Sequence, residues 1–422
     1  MLKKRLFSFV TSIMLGSFLL MGFDCPAGTS EVISKAKTKE VTSKDYSTTA
    51  NEVLSNDNVE GNGEIKEVTD KDNSNWNTSQ LYGITLGGWA SSGIYYNADN
   101  PSNHSNGPVS MTDRSGEVEL YQLDLFIEKI LHKSSNWEIG GRFDYMFGTD
   151  TRYTQASGHW DSNLLNKSNY YNMAMPQAYT EIYAPIGNGV TAKVGHFYTI
   201  LGYESVPSGN NFFSSHSYSF KSSPFTTTGV LFNYAIDEQW DLHFGAVTGA
   251  DNFARDLGAW SQMSGLNWNN INTGTTASFS IMSGDVYTYQ SSQLIYYSAI
   301  LKQTLGNWTY VLQNDLGTQE NALGQNQNAG WYSLVQYLTY QAMDHLGLGL
   351  RGEWFRDSNG FRYDNGPASY YEMTAGVNWE PRKWLMVRPE VRYDWSQAQT
   401  DPFDNGQRAN QFLLGVDMVV QF

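Results

Sequence analysis

Gly347-Leu348-Gly349-Leu350-Arg351-Gly352 is the stretch most suggestive of cofactor chemistry. It reads GxGxxG, and Glu372 lies 20 residues on, as in a dinucleotide fingerprint. Such a fingerprint needs a helix after the glycines to hold a pyrophosphate at its N-terminus. Here Glu353-Trp354-Phe355-Arg356 continues a two-residue alternation, so small residues on one strand face explain the match better and no cofactor is expected. The seven histidines include no HExxH and no i, i+4 pair, which argues against a metal centre. Ser, His and Asp occur without a GxSxG elbow, so no catalytic residue is assigned.

The charges that do show a spacing are of another kind. Arg142 and Asp144, Lys193, Arg351 and Glu353, Glu372, and the run Arg388, Glu390, Arg392 and Asp394 fall in register with a period of two. Over 137–147 one face carries Trp137, Ile139, Phe143, Tyr145 and Phe147, and the other Glu138, Arg142 and Asp144. Successive side chains of a strand point to opposite faces, so one face is apolar and aromatic while the other is charged. The stretch 385–395 alternates in the same way, and Phe412, Leu414, Val416, Met418, Val420 and Phe422 share a face at the C-terminus.

A soluble sheet also alternates; repetition and spacing are what discriminate. Strands are predicted near 80–96, 117–130, 137–147, 177–185, 190–201, 226–236, 240–249, 258–269, 275–284, 293–304, 308–317, 329–341, 346–356, 368–379, 384–395 and 410–422. That makes about sixteen, or fourteen without the pair at 258–284, the faintest of them. Connections alternate between short turns and long polar loops, as in outer-membrane barrels. An even count puts both chain ends on the short-turn side. Trp76, Trp137, Trp240, Trp308 and Trp384 begin strands after short connections, and Tyr95-Tyr96, Tyr170-Tyr171, Tyr296-Tyr297 and Tyr370-Tyr371 lie near strand ends. Such rings settle at the headgroup level of a bilayer. The fold expected is therefore all-β, a transmembrane antiparallel up-and-down β-barrel over 76–422.

Composition supports this reading. Of 422 residues, 14% are aromatic and only 16% charged, with a net charge of -15. Past the first 21 residues no apolar run approaches the ~20 residues of a membrane helix. An acidic chain without basic clusters is a poor nucleic-acid binder. One Cys excludes a disulfide scaffold. Residues 1–27 read as a secretory signal peptide: Lys3, Lys4 and Arg5, an apolar core over 6–21, and cleavage after Ala27. Cys25 does not fit a lipidation site, because Phe23 and Asp24 precede it. Residues 28–75 carry six lysines against ten carboxylates and a single aromatic, Tyr46, as expected of a disordered periplasmic extension.

Lys193-Val194-Gly195-His196-Phe197-Tyr198-Thr199-Ile200-Leu201-Gly202-Tyr203-Glu204 resembles a family pattern. So do 212–220, 224–229 and 245–253. Together they resemble the OmpL-like β-barrel porin family of bacterial outer membranes, over most of 76–422. The resemblance implies a general diffusion channel without catalytic residues, and it favours sixteen strands.

The resulting expectation is an outer-membrane porin of a Gram-negative-type bacterium, not an enzyme, passing small hydrophilic solutes and ions through a water-filled lumen. Alternatives are a surface adhesin or receptor acting through its external loops, and a barrel enzyme acting on lipid. The expected partners are outer-membrane lipid and the barrel-assembly machinery, with no nucleic acid; a homo-oligomer is left open. A charge on the lipid face near the midplane would cost about 2–4 kcal/mol, so the ten in-register charges are expected to line the pore and face water. The run 210–220, with Phe212, Phe213, His216, Tyr218 and Phe220, is either a constriction folded into the lumen or an external loop packed on itself. Phe422 is expected to be the terminal aromatic that assembly depends on.

Overall fold

The computed structural model describes residues 79–422, apart from 82, 159–160, 162–169, 254–257 and 287–291. The leader expected over 1–27, Trp76 and the polar extension expected over 28–75 lie outside the described residues.

Sixteen strands form one closed antiparallel barrel. They are β1 (Ile84–Asn97), β2 (Val118–Lys129), β3 (Glu138–Gly148), β4 (Asn172–Ala174 with Ala178–Ala184) and β5 (Val190–Tyr198). Then come β6 (Thr226–Ala235), β7 (Trp240–Val247), β8 (Ser261–Asn270), β9 (Thr275–Asp285), β10 (Gln293–Leu305) and β11 (Trp308–Gln319). The last five are β12 (Ala329–Met343), β13 (Leu346–Asp357), β14 (Ala368–Arg382), β15 (Leu385–Gln397) and β16 (Asn410–Gln421). Each pairs with its chain neighbour, and β16 closes on β1 from Leu413 opposite Asn97 to Gln421 opposite Trp89. Closure leaves no edge strand, which is what permits a sheet to sit in lipid. The 258–284 pair is present as β8 and β9, so the count is sixteen.

Two strands differ from the expectation. The strand expected over 80–96 breaks at Gly83, whose φ of +75° turns the chain, so that Ser79–Leu81 folds back on Ile84–Leu86. The fourth strand is interrupted between Ala174 and Ala178, both parts pairing with β3. Pro176 sits in that gap and has no N–H for the ladder.

Short connections at 130–137, 185–189, 236–239, 271–274, 306–307, 344–345 and 383–384 gather at one end. Longer ones, among them 98–117, 149–171, 199–225 and 398–409, leave the other.

The two faces separate as the alternation requires. Ile139, Phe143, Val391, Tyr393, Phe412, Leu414, Val416 and Met418 are exposed on the outer face, while Asp144, Arg388, Arg392 and Asp417 are buried inside. Trp137, Trp240, Trp308 and Trp384 are exposed at the short-turn end. The strand tyrosine pairs do not both join an outer belt. Tyr95, Tyr296 and Tyr370 point in and are buried, and only Tyr96, Tyr297 and Tyr371 face outward. Adjacent residues on a strand must take opposite faces, so a pair can give only one ring to the rim.

Candidate functional site

The connection 199–225 lies against the inner wall rather than over the barrel's end. It holds a short helical turn at Ser208–Asn210 and another at Tyr218–Ser222. Its sequence is rich in serine: Ser205, Ser208, Ser214, Ser215, Ser217, Ser219, Ser222 and Ser223. Small residues let its backbone approach wall charges, and buried N–H and C=O groups need such partners.

The wall supplies them from β13 to β16. Arg388 donates to Asp417 at 2.9 and 2.5 Å, and to the carbonyls of Ser208, Asn211 and Phe213 at 2.8, 2.7 and 3.1 Å. Glu390 accepts from the backbone N–H of Ser214 and Ser215 at 2.9 and 3.2 Å and from the Tyr95 hydroxyl at 2.8 Å. Arg351 donates to Glu372 at 2.6 Å, to Glu204 at 2.7 Å and to the Ser215 carbonyl at 2.6 Å. Arg392 donates to Asp394 at 2.8 Å and to the His216 carbonyl at 2.6 Å. Glu353 accepts from the N–H of Tyr218 and Ser219 at 2.6 and 2.7 Å. The Tyr218 hydroxyl donates to Asp394 at 2.7 Å. On β1 and β2, Ser208 meets Ser91 at 3.0 Å, and Gln122 donates to the Val206 carbonyl at 2.8 Å.

Rings complete the contact. Phe213, Tyr218, Phe220 and His216 are buried, His216 stacking on Phe220 with centroids 4.1 Å apart. Phe212 presses on the inner face of β13, where a Cβ at Gly349 would meet it at 2.2 Å. That close approach is what the glycines at 347 and 349 permit.

Glu204 sits in the connection itself. Burial pushes its carboxyl up, but Arg351 and then His216 outweigh this and hold it down at about 2. His216 Nδ1 lies 3.5 Å from it.

The expectation that all ten in-register charges meet water needs correction. The side chains of Arg351, Glu372, Arg388, Arg392 and Asp394 are 0–1% or 2% exposed, and Glu353 and Glu390 are buried with them. The reason is the segment laid over them, which replaces water by backbone groups. Asp144 is buried as well, accepting from Arg142 Nε at 2.7 Å and Gln177 at 3.0 Å. Arg142 and Lys193 stay partly open. Arg142 reaches Glu128 at 3.3 Å and Lys193 reaches Glu181 at 3.2 Å, with cation side chains 16% and 29% exposed. Breaking a buried pair costs about 3–5 kcal/mol, whereas an exposed pair contributes about 0–1 kcal/mol. The two groups of wall charges therefore differ: those on β13–β16 fix a segment, while Arg142 and Lys193 on β3 and β5 remain partly open to the lumen.

The molecule is thus a closed sixteen-stranded barrel, apolar outside and charged within, carrying an inserted connection. The family model described as "Putative beta-barrel porin-2, OmpL-like" matches residues 83–422. The chain belongs to this OmpL-like porin family. The porin shares its fold with Pseudomonas putida OprB at 12% identity and a TM-score of 0.52, covering 81% of this chain and 94% of that one. The outer membrane channel DcaP of Acinetobacter baumannii follows at 11% and 0.51, covering 80% and 97%. An anion-selective porin from Comamonas acidovorans stands at 10% and 0.50, covering 80% and 99%. No curated protein sequence matches the chain. Family and fold are those of a Gram-negative outer-membrane channel.

Several residues of this porin's inner surface were not singled out from sequence. Glu128 and Glu181 alternate in register with Phe126 and Tyr179 on inward faces, so the period of two contained them. Asp417 is the charged residue of an otherwise apolar run, sharing the inward face with Leu413 and Val419. Glu204 lies in a connection, where no periodicity marks it. Phe422 closes the seam: it exchanges two backbone hydrogen bonds with Gly88, at 2.7 and 2.9 Å, and its ring is exposed on the outer face.

Proposed function

We propose that this porin passes small hydrophilic solutes and ions passively, through the part of the lumen that the segment 199–225 leaves open beside the short-turn ends of β2–β5. The segment with Phe212, Phe213, His216, Tyr218 and Phe220 is the constriction. The observation that carries the reading is the unequal exposure of the wall charges: buried under the segment on β13–β16, partly open at Arg142 and Lys193. Sixteen strands enclose more space than wall side chains fill, and one inserted segment covers only part of the perimeter.

The same proposal includes the leader over 1–27 for export, the polar extension over 28–75 on the periplasmic side, and recognition of the terminal Phe422 by the barrel-assembly machinery. Over 76–422 there are 31 carboxylates against 18 Lys and Arg, which favours cations through the field of the loops. Reversal potentials under a KCl gradient test this: a shift toward the cation potential is expected. A folded barrel that carries no current would instead favour the scaffold reading, in which external loops bind a surface partner.

A further inference from the structure

Glu128, Arg142, Glu181 and Lys193 form a stripe across four neighbouring strands. Glu128 on β2 is opposite Arg142 on β3, Arg142 is opposite Tyr179 on β4, and Glu181 on β4 is opposite Lys193 on β5. Three strand spacings make it roughly 15 Å wide. Its signs alternate: negative, positive, negative, positive. Each cation lies over a ring, Arg142 over Phe126 at 4.1 Å and Lys193 over Tyr179 at 4.2 Å.

These four differ from the wall charges beneath the segment. Their side chains are 11%, 16%, 16% and 29% exposed, whereas those beneath the segment are sealed by backbone partners. A solute in the lumen can reach a partly open pair; it cannot reach a sealed one. Arg142 is also held in place from behind. Its Nε donates to the buried Asp144 at 2.7 Å, which Gln177 holds in turn at 3.0 Å. Asp144 is thus a positioning residue that aims a guanidinium along the wall.

The geometry points to a binding stripe for zwitterionic solutes, free α-amino acids and short peptides. This rests on the channel reading above and adds the solute class to it. A simple ion meets an attracting and a repelling group side by side, so the stripe offers it little. A sugar has no charge to exchange. An amino acid carries an ammonium and a carboxylate a few ångströms apart; Glu181 and Arg142 are diagonal neighbours across the Arg142–Tyr179 pairing, about 7–8 Å apart at the backbone, so one such solute can lie between them and meet both. Its ammonium takes the place of Lys193 on Glu181, its carboxylate meets Arg142, and its apolar part lies along Phe126 or Tyr179.

Liposomes holding the full folded chain test this by osmotic swelling in phenylalanine and in a neutral hexose of similar size. The readout is the ratio of the two rates, which cancels the number of channels per liposome. For the native protein phenylalanine enters faster by roughly threefold, a modest preference in keeping with pairs that are only partly open and weakly coupled to the solute. Glu181→Gln with Lys193→Gln brings the ratio to parity. Lys193→Gln alone, leaving Glu181 unbalanced, raises entry of a cationic amino acid relative to phenylalanine, an effect that a purely structural pair would not have. Parity in the native protein overturns the inference even if no variant folds, as does an unchanged ratio in the double variant. Swelling in neither solute overturns the channel reading itself, and this inference with it.

Discussion

Arg351 on β13 and Glu204 in the inserted connection meet at 2.7 Å, both nearly sealed from solvent. This pair ties the segment 199–225 to the wall, and the Glu372 carboxylate on the far side of the guanidinium keeps it aimed. Arg351→Ala leaves Glu204 and Glu372 without their shared partner, at a cost of about 3–5 kcal/mol. The expected outcome is a lower temperature for loss of the heat-modifiable folded form, with larger or noisier single-channel currents. Unchanged currents in a folded variant would mean that the pair does not restrain the segment.

Glu204 also gives the anchor a pH dependence. Its carboxyl is held at about 2, below the ordinary 4.5, so the folded arrangement binds fewer protons than the released one. The stability it contributes is complete above pH 4.5 and is lost as pH falls through about 2. Protease cutting within 199–225, measured on the folded barrel, should increase across that window. In Glu204→Gln the rise should be weaker and the baseline higher.

Arg388 and Arg392 hold carbonyls of the segment, so their replacement should act through position more than through charge. Arg388→Gln with Arg392→Gln should enlarge the conductance while shifting the reversal potential less than Lys193→Gln does. A large shift toward cations without a change in conductance would place those guanidinium groups in contact with permeating ions.

Deleting Phe422 removes two backbone hydrogen bonds to Gly88 at the closing seam and an outward ring beside them. Less heat-modifiable barrel should accumulate. Deleting 31–70 should leave its amount nearly unchanged.

Tags near Asn106, Ser157 or Asn359 should be labelled on intact cells, and tags at Asn188 or Asn272 should not. The first three lie in long connections and the last two in short ones. The opposite labelling pattern would reverse the barrel's orientation.

Much of the wall is legible in the sequence because a period of two survives along most of each strand, broken only at the bulges near Ser91, Gln341 and Trp379 and at the gap in β4. Trp137 to Phe147 reads out its two faces residue by residue, and even the polar β8–β9 hairpin keeps its spacing. The splitting of Tyr95 from Tyr96 follows from the same period. What the period does not carry is the course of 199–225. Whether water or a backbone carbonyl faces Arg388 depends on a connection about 180 residues away in the chain, through contacts to Ser208, Asn211 and Phe213. The run of serines among aromatic residues was the available signal, and it is compatible with either an external or an internal course. The cradle for Phe212 at Gly347 and Gly349 is similar: as sequence it mimics a phosphate loop, and only the barrel shows which ring occupies it.

The most direct test of a channel narrowed by a wall-anchored segment is single-channel conductance in planar bilayers, comparing the native porin with a form in which 208–220 is replaced by a short Gly-Ser linker. Heat-modifiable migration establishes that both are folded. The account predicts stepwise currents for the native protein and distinctly larger steps for the replaced form. Equal steps in the two, or no steps from either, would contradict it.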